Sequence, residues 1–428
     1  MEQQKWIGIF QAEWPVQCHT INSCIMLAEQ GFCVDLFLYN TPVFIELAQT
    51  KKITNINIHD LSKYPNNLIA RKNLFSRIIH GISWRWQIIL NKIHEIYLLK
   101  YKDANDKILY FFIPDDITQQ VYSIIGEKYY QCLIGVEKLG LVWAGSIGNK
   151  RNIPYAYHSL ELYTKDHPIY NKSLKNKILK KAEEKYHQQS NFTIIQDPQR
   201  AEILLQDNGV SKTTIAYLPI SLLGGIYQGK SDEFKHKLNN IKNSISILQF
   251  GQIARFGLEL AQVAQEFPPE WKLIIHDGLA ISQWNDNELV KKIQTIDVDR
   301  RIKLSLDKLE AQQIKQLVAS THIGLVLYYN SCKNDALTIF ASEKLALYLQ
   351  CGVPIIAFNY PGYEIVEKFN FGVLINSIED LPNAIRKIII NYDLYSVNAH
   401  NIFKKFYSFE ENFFTVIKVI NNLSNLRC

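Results

Sequence analysis

Apolar and polar positions along the chain follow two different periods, and residues 341–358 show both of them. Apolar side chains such as Leu345 and Tyr348 recur at the three- to four-residue spacing of a helix. Gly352 then favours the left-handed conformation that ends a helix. Because a strand in a parallel sheet is buried on both faces, the unbroken apolar run at residues 354–358 predicts a core strand of such a sheet.

The same alternation of short apolar runs and amphipathic segments continues through both halves of the chain. Strands that alternate with helices form layered sheets, so the pattern predicts an α/β fold. The predicted strands lie at residues 5–10, 32–39, 108–113, 131–136, 152–160, 192–196, 214–219, 244–250, 271–276, 302–304, 321–329, 354–358 and 372–375. Further helices are predicted at residues 20–30, 175–190, 198–208, 258–267, 309–319, 364–368, 380–391 and 403–426.

The composition changes at residues 220–243, which are rich in Gly, Lys and Asn. We therefore predict a linker at residues 221–243, between a first domain at 1–220 and a second at 244–402. The C-terminal helix, at about 403–428, is expected to pack back on the first domain. A chain of 428 residues is long enough for two or three domains.

The overall composition, with 47% hydrophobic residues, is that of a globular protein, and no apolar run reaches the length of a membrane span. We expect a cytoplasmic protein. Its seven cysteines are scattered, without a CxxC pair, so neither a metal site nor a disulfide framework is expected. The net charge of +6 permits peripheral contact with the anionic inner face of a membrane, and no nucleic-acid partner is expected.

Residues 65–102 form the most basic amphipathic stretch, with isoleucines at helical spacing and Trp84 and Trp86 near the middle. One interpretation is a helix that lies on a membrane surface with its basic side chains at the lipid head groups. The other is a helix that faces the protein core and has a solvated polar face. The sequence leaves both open.

Two segments in the second half, a predicted helix start and a loop, favour the binding of an anion. Ser342 is a plausible N-cap, and Lys344 adds a positive charge to a helix start whose free N–H groups already attract anions. A lysine in the first turn costs stability unless it has a negative partner, although pairing with Glu343 alone would also explain it. Arg255 lies in the loop at residues 251–257, where a guanidinium could bind a diphosphate bidentately.

Candidate chemistry in the first half lies at strand ends. Trp14 and His19 follow the first predicted strand, where parallel sheets bind ligands, so they are candidates for a substrate surface. Glu161 and His158 lie at the end of another strand, where a carboxylate and an imidazole could serve acid–base or hydroxyl-binding roles. Packing in the core is the alternative role of each aromatic or histidine side chain.

The sequence GGIYQGKS, which includes Gly224, Gly229, Lys230 and Ser231, fits the G-x4-G-K-[ST] pattern of a phosphate-binding P-loop. A P-loop NTPase is therefore an alternative function. Against it, a P-loop opens a helix that packs on a core sheet, whereas residues 232–243 are mostly polar.

The second half of the chain resembles the nucleotide-sugar-binding domain of GT-B glycosyltransferases. The resemblance rests on Phe250-Gly251 with Arg255, on His276-Asp277-Gly278, on HIGLVLYY, and on a K-x3-Y-x3-G-x-P-[IV]-[IV] block formed by Lys344, Tyr348, Gly352, Pro354, Ile355 and Ile356. Pro361-Gly362-Tyr363 and FGVLI keep the family's order as well. In the first half, YHSLELY at Tyr157 and QDPQRAEIL at Gln196 look like the acceptor domain.

The resemblance implies two Rossmann-like domains that face each other across a cleft. It implies an enzyme of polysaccharide or glycoconjugate synthesis that moves a sugar from a nucleotide-sugar to a hydroxyl of a glycan, lipid-linked or protein-linked acceptor, without a metal or other cofactor. The predicted donor-site residues are Lys344, Arg255, Gly251, Gln252 and Ser342 for the diphosphate and Asp277 and Tyr328 for the nucleotide. From their positions at strand ends, Trp14 is assigned to the acceptor and Glu161 and His19 to catalysis, and no motif of the family identifies the catalytic base.

The chain departs from the family at two positions that matter. Many retaining members carry two glutamates eight positions apart, and Ile339 and Leu347 occupy the equivalent positions here. The basic residue that usually precedes the second glycine of the loop is replaced by Phe256, with Arg255 one place earlier. The stereochemical outcome therefore stays open, as does the alternative of a non-catalytic GT-B subunit that assists a related transferase. Homo- or hetero-oligomers are compatible with either role.

Overall fold

The computed structural model describes residues 4–12, 16, 18–40, 54–61, 105–228, 244–278 and 287–423. By its internal contacts the chain divides into two compact units. The first unit comprises Met1–Leu218 together with Glu410–Cys428, and the second comprises Pro219–Phe409.

Within the described residues, the first unit contains a seven-stranded parallel sheet in the order β3-β2-β1-β4-β5-β6-β7. Its strands are β1 (Trp6–Ala12), β2 (Cys33–Tyr39), β3 (Ile56–Asp60), β4 (Tyr130–Val136), β5 (Tyr155–His158), β6 (Phe192–Ile195) and β7 (Thr214–Tyr217). The helices are α1 (Cys18–Glu29), α2 (Asn105–Phe112), α3 (Asp115–Ile125), α4 (Glu137–Arg151), α5 (Ile169–Lys172), α6 (Leu174–Gln188) and α7 (Pro198–Asn208).

The described part of the second unit contains a six-stranded parallel sheet in the order β10-β9-β8-β11-β12-β13. The strands are β8 (Ile245–Phe250), β9 (Trp271–His276), β10 (Ile302–Ser305), β11 (Ile323–Val326), β12 (Ile355–Phe358) and β13 (Gly372–Ile375). The helices are α8 (Gly257–Ala264), α9 (Glu288–Ile296), α10 (Ala311–Ala319), α11 (Lys333–Ala336), α12 (Glu343–Gln350), α13 (Glu364–Lys368), α14 (Leu381–Ile390) and α15 (Tyr392–Ile402). A π-helical turn (Phe403–Tyr407) ends this unit. The last helix, α16 (Phe409–Leu423), belongs to the first unit from Glu410 onward.

The strand order reverses once in each sheet. β1 pairs with both β2 and β4, and β8 pairs with both β9 and β11. The chain therefore leaves β1 and β4, or β8 and β11, in opposite directions and opens a crevice at their carboxyl ends. In doubly wound sheets this crevice is where ligands bind, so it is the place to look for a site in each unit.

Close packing of α12 on the second sheet depends on a glycine in β11. A Cβ atom on Gly324 would lie 2.6 Å from the ring of Tyr348, which α12 presses against that strand. The Tyr348 hydroxyl donates a hydrogen bond of 2.9 Å to the carbonyl of Leu248 in β8. These two contacts fix the distance between the sheet and α12, the helix whose first turn contains Lys344.

Several predicted elements differ from the structure. Residues 108–113 were expected to form a strand, but Asn105–Phe112 is a helix, because a short apolar run fits a buried helix as well as a strand. The strand predicted at 321–329 is only Ile323–Val326, so the two tyrosines after it lie beyond the sheet. The single helix predicted at 403–426 is a π-helical turn followed by Phe409–Leu423.

The segment predicted as a linker is described up to Gln228, and that part packs on the second unit. The side-chain amide of Gln350 donates to the carbonyls of Leu223, Gly224 and Gly225 at 2.9–3.3 Å. The Ser221 hydroxyl donates to the carbonyl of Tyr407. Residues 229–243 lie outside the described part of the chain.

Candidate functional site

The turn after β8 is shaped by a glycine and a carboxylate. Gly251 has a φ of +120°, and its N–H donates to the carbonyl of His276 at 3.0 Å. The buried Asp277 carboxylate accepts a hydrogen bond of 2.8 Å from the N–H of Ile253. Asp277, predicted to bind the nucleotide, thus holds this turn in place, and Gln252 lies exposed in the turn.

The start of α12 is capped as the sequence predicts. The Ser342 hydroxyl oxygen accepts a hydrogen bond of 3.2 Å from the N–H of Leu345, and it is hydrogen-bonded at 2.8 Å to the hydroxyl of Tyr328. Tyr328 lies two residues after the end of β11, and its carbonyl accepts a hydrogen bond of 2.9 Å from the Tyr360 hydroxyl. The ring of Tyr328 is therefore fixed at the carboxyl end of the sheet.

Two cations lie against that ring. The ammonium nitrogen of Lys344 is 4.5 Å from the centre of the Tyr328 ring, and the guanidinium carbon of Arg255 is 5.9 Å from it. Lys344 also donates to the carbonyl of Leu327 at 3.5 Å. The structure thus brings the two predicted diphosphate ligands together, although they are 89 positions apart in the sequence (344 − 255).

In the part of the chain that the structure describes, no carboxylate neutralises the two cations. Among the described residues neither Lys344 nor Arg255 forms an ion pair, and both are half-buried. Burial and, to a smaller extent, the charge of Arg255 lower the pKa of Lys344 from its ordinary value to about 7. Adjacent unneutralised cations at a helix start and at a strand-order reversal are an arrangement suited to a diphosphate.

The corresponding edge of the first unit carries buried groups instead. His19, in the first turn of α1, and His158, the last residue of β5, have ring centres 5.2 Å apart, and both are buried. Burial, assisted by the neighbouring His19, holds the pKa of His158 well below its ordinary value. Trp14, predicted to bind the acceptor, lies outside the described residues.

Glu137 is a site residue that the sequence analysis missed. It begins α4 with a φ of +59°, is buried, and accepts hydrogen bonds from the N–H groups of Leu160 (2.6 Å) and Glu161 (2.9 Å). Burial raises its pKa to about 7, against the opposing charge of Lys138. Its position directly after a buried strand was a usable signal, the same one that selected His158.

The two sequence segments that resemble an acceptor domain fold against each other. The side-chain amide of Gln196 donates to the carbonyl of Ser159 at 2.7 Å, and the buried Arg200 guanidinium donates to the carbonyl of Leu160 at 2.8 Å. These contacts, with those of Glu137, fix the loop that carries Glu161, whose side chain is half-buried. The catalytic roles predicted for Glu161 and His19 stay predictions.

Other predicted features fall partly or wholly outside the described residues. This applies to Lys230 and Ser231 of the P-loop pattern and to residues 65–102. In the described ranges, no cluster of three His, Cys, Asp or Glu side chains is arranged to hold a metal ion, and the expectation of a metal-free enzyme stays a prediction. None of the helices described is long and apolar enough to cross a membrane.

In its described residues, each unit is a parallel sheet with helical crossovers and a single strand-order reversal, the Rossmann-like architecture predicted from the sequence. Two such units are typical of the GT-B fold, and comparison with known proteins bears on this fold at two levels. Residues 281–416 match the family model described as the glucosyltransferase 3-like, C-terminal domain. This match, over about a third of the chain, agrees with the prediction of a glycosyltransferase, and the structural comparisons confirm the predicted GT-B fold. A search of curated proteins by sequence finds no match.

Several solved structures are similar over nearly the whole chain. HepE from Anabaena in complex with UDP and glucose is 13% identical with a TM-score of 0.66, and the alignment covers 98% of this chain and 100% of HepE. Sucrose-phosphate synthase from Thermosynechococcus elongatus is 14% identical with a TM-score of 0.66, covering 99% and 100%. Trehalose 6-phosphate synthase from Burkholderia multivorans is 8% identical with a TM-score of 0.62, covering 100% of both chains. At these identities the likeness is one of fold.

Proposed function

We propose that this protein transfers a sugar from a UDP-sugar to a hydroxyl group of a glycan, lipid-linked or protein-linked acceptor. The observation that carries the proposal is the pair of cations, Arg255 and Lys344, that lie against the Tyr328 ring without an anionic partner among the described residues. The choice of UDP draws support from HepE, whose structure contains UDP and glucose.

The chemistry follows from the charge that develops during the reaction. As the bond between the sugar and the diphosphate breaks, negative charge builds on the leaving UDP. Arg255, Lys344 and the N-terminal N–H groups of α12 would stabilise that charge more in the transition state than in the bound substrate. Tyr328 fixes the position of the cations, and Ser342 fixes the helix start.

The acceptor side of the proposal is assigned to the first unit. Its carboxyl edge carries Glu161, a half-buried carboxylate that could accept the proton of an incoming hydroxyl. His19 is fully buried, so direct contact with an acceptor requires movement of α1. In this proposal Glu137 positions the loop of Glu161 rather than contacting the acceptor, because both of its recorded hydrogen bonds are to that loop.

The test is calorimetric titration of UDP into Lys344→Ala and Arg255→Ala variants. We expect each to weaken UDP binding by roughly tenfold or more, since a hydrogen bond to a charged group contributes about 1.5–3 kcal/mol. Lys292→Ala is the matched control, because Lys292 is an exposed lysine of α9 in the same unit. Unchanged affinity in both site variants would refute the assignment of the diphosphate site.

A further inference from the structure

A separate cavity of about 390 Å³ lies at the carboxyl ends of β11, β12 and β13. It is lined by the last residues of β12 and β13, by the loops after the three strands, and by the start of α8. Its volume is within the range of small-molecule sites, roughly 300–1,000 Å³. Neither Arg255 nor Lys344 lines it, so it is distinct from the proposed diphosphate site.

One wall of the cavity is aromatic. The ring centre of Phe256 is 4.2 Å from that of Tyr329 and 5.5 Å from that of Phe358, and Phe358 is 5.7 Å from Tyr360. Phe358 is buried, whereas Tyr329 is 41% exposed. The exposed ring of Tyr329 is therefore accessible to a ligand, and its contact with Phe256, which packs on the buried Phe358, holds it in place.

The remaining lining is polar. Asn330, Asn359 and Asn376 are exposed at the three strand ends. Each amide offers two hydrogen-bond donors and one acceptor oxygen, and the contact recorded among them is a long one of 3.5 Å between Asn359 and Asn376. As far as the described residues show, these amides keep donors and acceptors available for a ligand that both donates and accepts hydrogen bonds.

The charges around the cavity exclude anions. Two exposed carboxylates, Glu259 and Glu379, are among its lining residues, and the described lining residues include no lysine, arginine or histidine. A phosphate or carboxylate ligand would be repelled here, in contrast to the site beside Tyr328.

We propose that this cavity binds a neutral pyranose ring. The C–H face of a sugar packs on aromatic rings such as Tyr329, while its hydroxyl groups pair with asparagine amides and carboxylates. The ring comes either from the sugar of the donor or from a unit of a glycan acceptor. For a donor sugar the inference rests on the proposed function, whereas for a glycan unit it stands without the diphosphate site, since neither Arg255 nor Lys344 lines the cavity.

The experiment titrates the protein with methyl glycosides of glucose, galactose, mannose and N-acetylglucosamine, followed by saturation-transfer NMR. We expect at least one glycoside to bind. Tyr329→Ala should weaken that binding by roughly five- to tenfold, in line with the contribution of one aromatic contact. Asn330→Ala, which removes a side chain that forms no hydrogen bond to another described residue, should weaken it as well.

Tyr217→Ala is the matched control, because Tyr217 is a tyrosine of the first unit with nearly the same exposure, 39%. It should leave glycoside binding unchanged. If no glycoside binds, or if Tyr329→Ala and Asn330→Ala bind the glycosides as the unmodified protein does, the proposal is wrong.

Titration with UDP and with UDP-glucose distinguishes the two sources of the sugar. If Tyr329→Ala weakens UDP-glucose binding but not UDP binding, the cavity holds the sugar of the donor. If it weakens glycoside binding and leaves both nucleotides unaffected, the cavity holds a glycan unit. Loss of UDP binding on Lys344→Ala tests the diphosphate site separately, so the two proposals fail independently.

Discussion

The two units carry different ionisable groups near the point where the strand order reverses. In the first unit these groups are Glu137 and His158, and both are buried. In the second unit they are Arg255 and Lys344, and both are half-buried. The sheet topology at these points is equivalent, yet the ionisable groups differ in their surroundings. Glu137 is satisfied by two backbone N–H groups, while the two cations have no anion beside them among the described residues. The comparison teaches that sheet topology fixes where a site forms. Whether an ionisable group there supports the fold or binds a ligand depends on whether neighbouring protein groups already satisfy its charge.

In the first unit, Glu137→Ala would remove the carboxylate that accepts hydrogen bonds from the loop of Glu161. Two buried N–H groups, those of Leu160 and Glu161, would lose their acceptor, so we expect a loss of about 3 kcal/mol in the free energy of unfolding of the first unit. Urea unfolding followed by circular dichroism measures it. Glu137→Gln keeps an acceptor oxygen and should lose much less, and equal losses in both variants would contradict the assigned role.

Because burial raises the pKa of Glu137 from 4.5 to about 7, its contribution to stability depends on pH. Between these two values the unfolded chain releases the proton and the folded protein keeps it, so this group makes stability fall as pH rises from about 4.5 to 7. Unfolding of Glu137→Gln at pH 5 and pH 7 should show a smaller fall than the unmodified protein.

Binding of the donor to the second unit should depend on pH above about 7, the pKa of Lys344. With a pKa of about 7, free Lys344 is mostly neutral above that pH, and a diphosphate binds its charged form. The diphosphate of UDP-glucose carries no group that titrates in this range. We therefore expect its affinity to be nearly constant below pH 7 and to fall above it by about tenfold per pH unit. Calorimetry from pH 6 to 9 checks this, and Lys344→Arg, which stays charged, should abolish the dependence.

The variant Lys344→Met tests whether Lys344 contributes to the stability of the second unit. Lys344 is half-buried without a counter-ion among the described residues, so a methionine of similar length should raise the free energy of unfolding of the second unit by about 1 kcal/mol. Thermal unfolding without ligand measures the change. The exposed Lys292→Met is the control and should have no effect. Destabilisation by Lys344→Met would show that the lysine supports the fold, unlike a ligand-binding cation.

Much of the fold was predictable, because buried parallel strands and the glycines and prolines between elements leave a strong pattern. The helix Pro198–Asn208 and the strand Trp271–His276 agree with the predicted bounds residue by residue. The helix Asn105–Phe112 was mistaken for a strand, since its short apolar run carries no decisive period.

Parts of the candidate site were predictable as well, because a capped helix start with Lys344 and a glycine turn with Arg255 are local signals. Local signals did not reveal that Asp277 binds the turn at Ile253, nor that Glu137 holds the loop of Glu161. Those contacts join residues that are far apart in the chain.

The sequence by itself thus determined the alternation of strands and helices, the chemistry available at each strand end, and the likeness to GT-B enzymes. Only the tertiary structure decided that Arg255 and Lys344 both contact the ring of Tyr328, and that the ends of β11, β12 and β13 border an open cavity without cations among its described lining residues. The physical reason is that periodicity records which face of an element is buried, whereas the meeting of side chains from separate elements depends on strand order and helix packing.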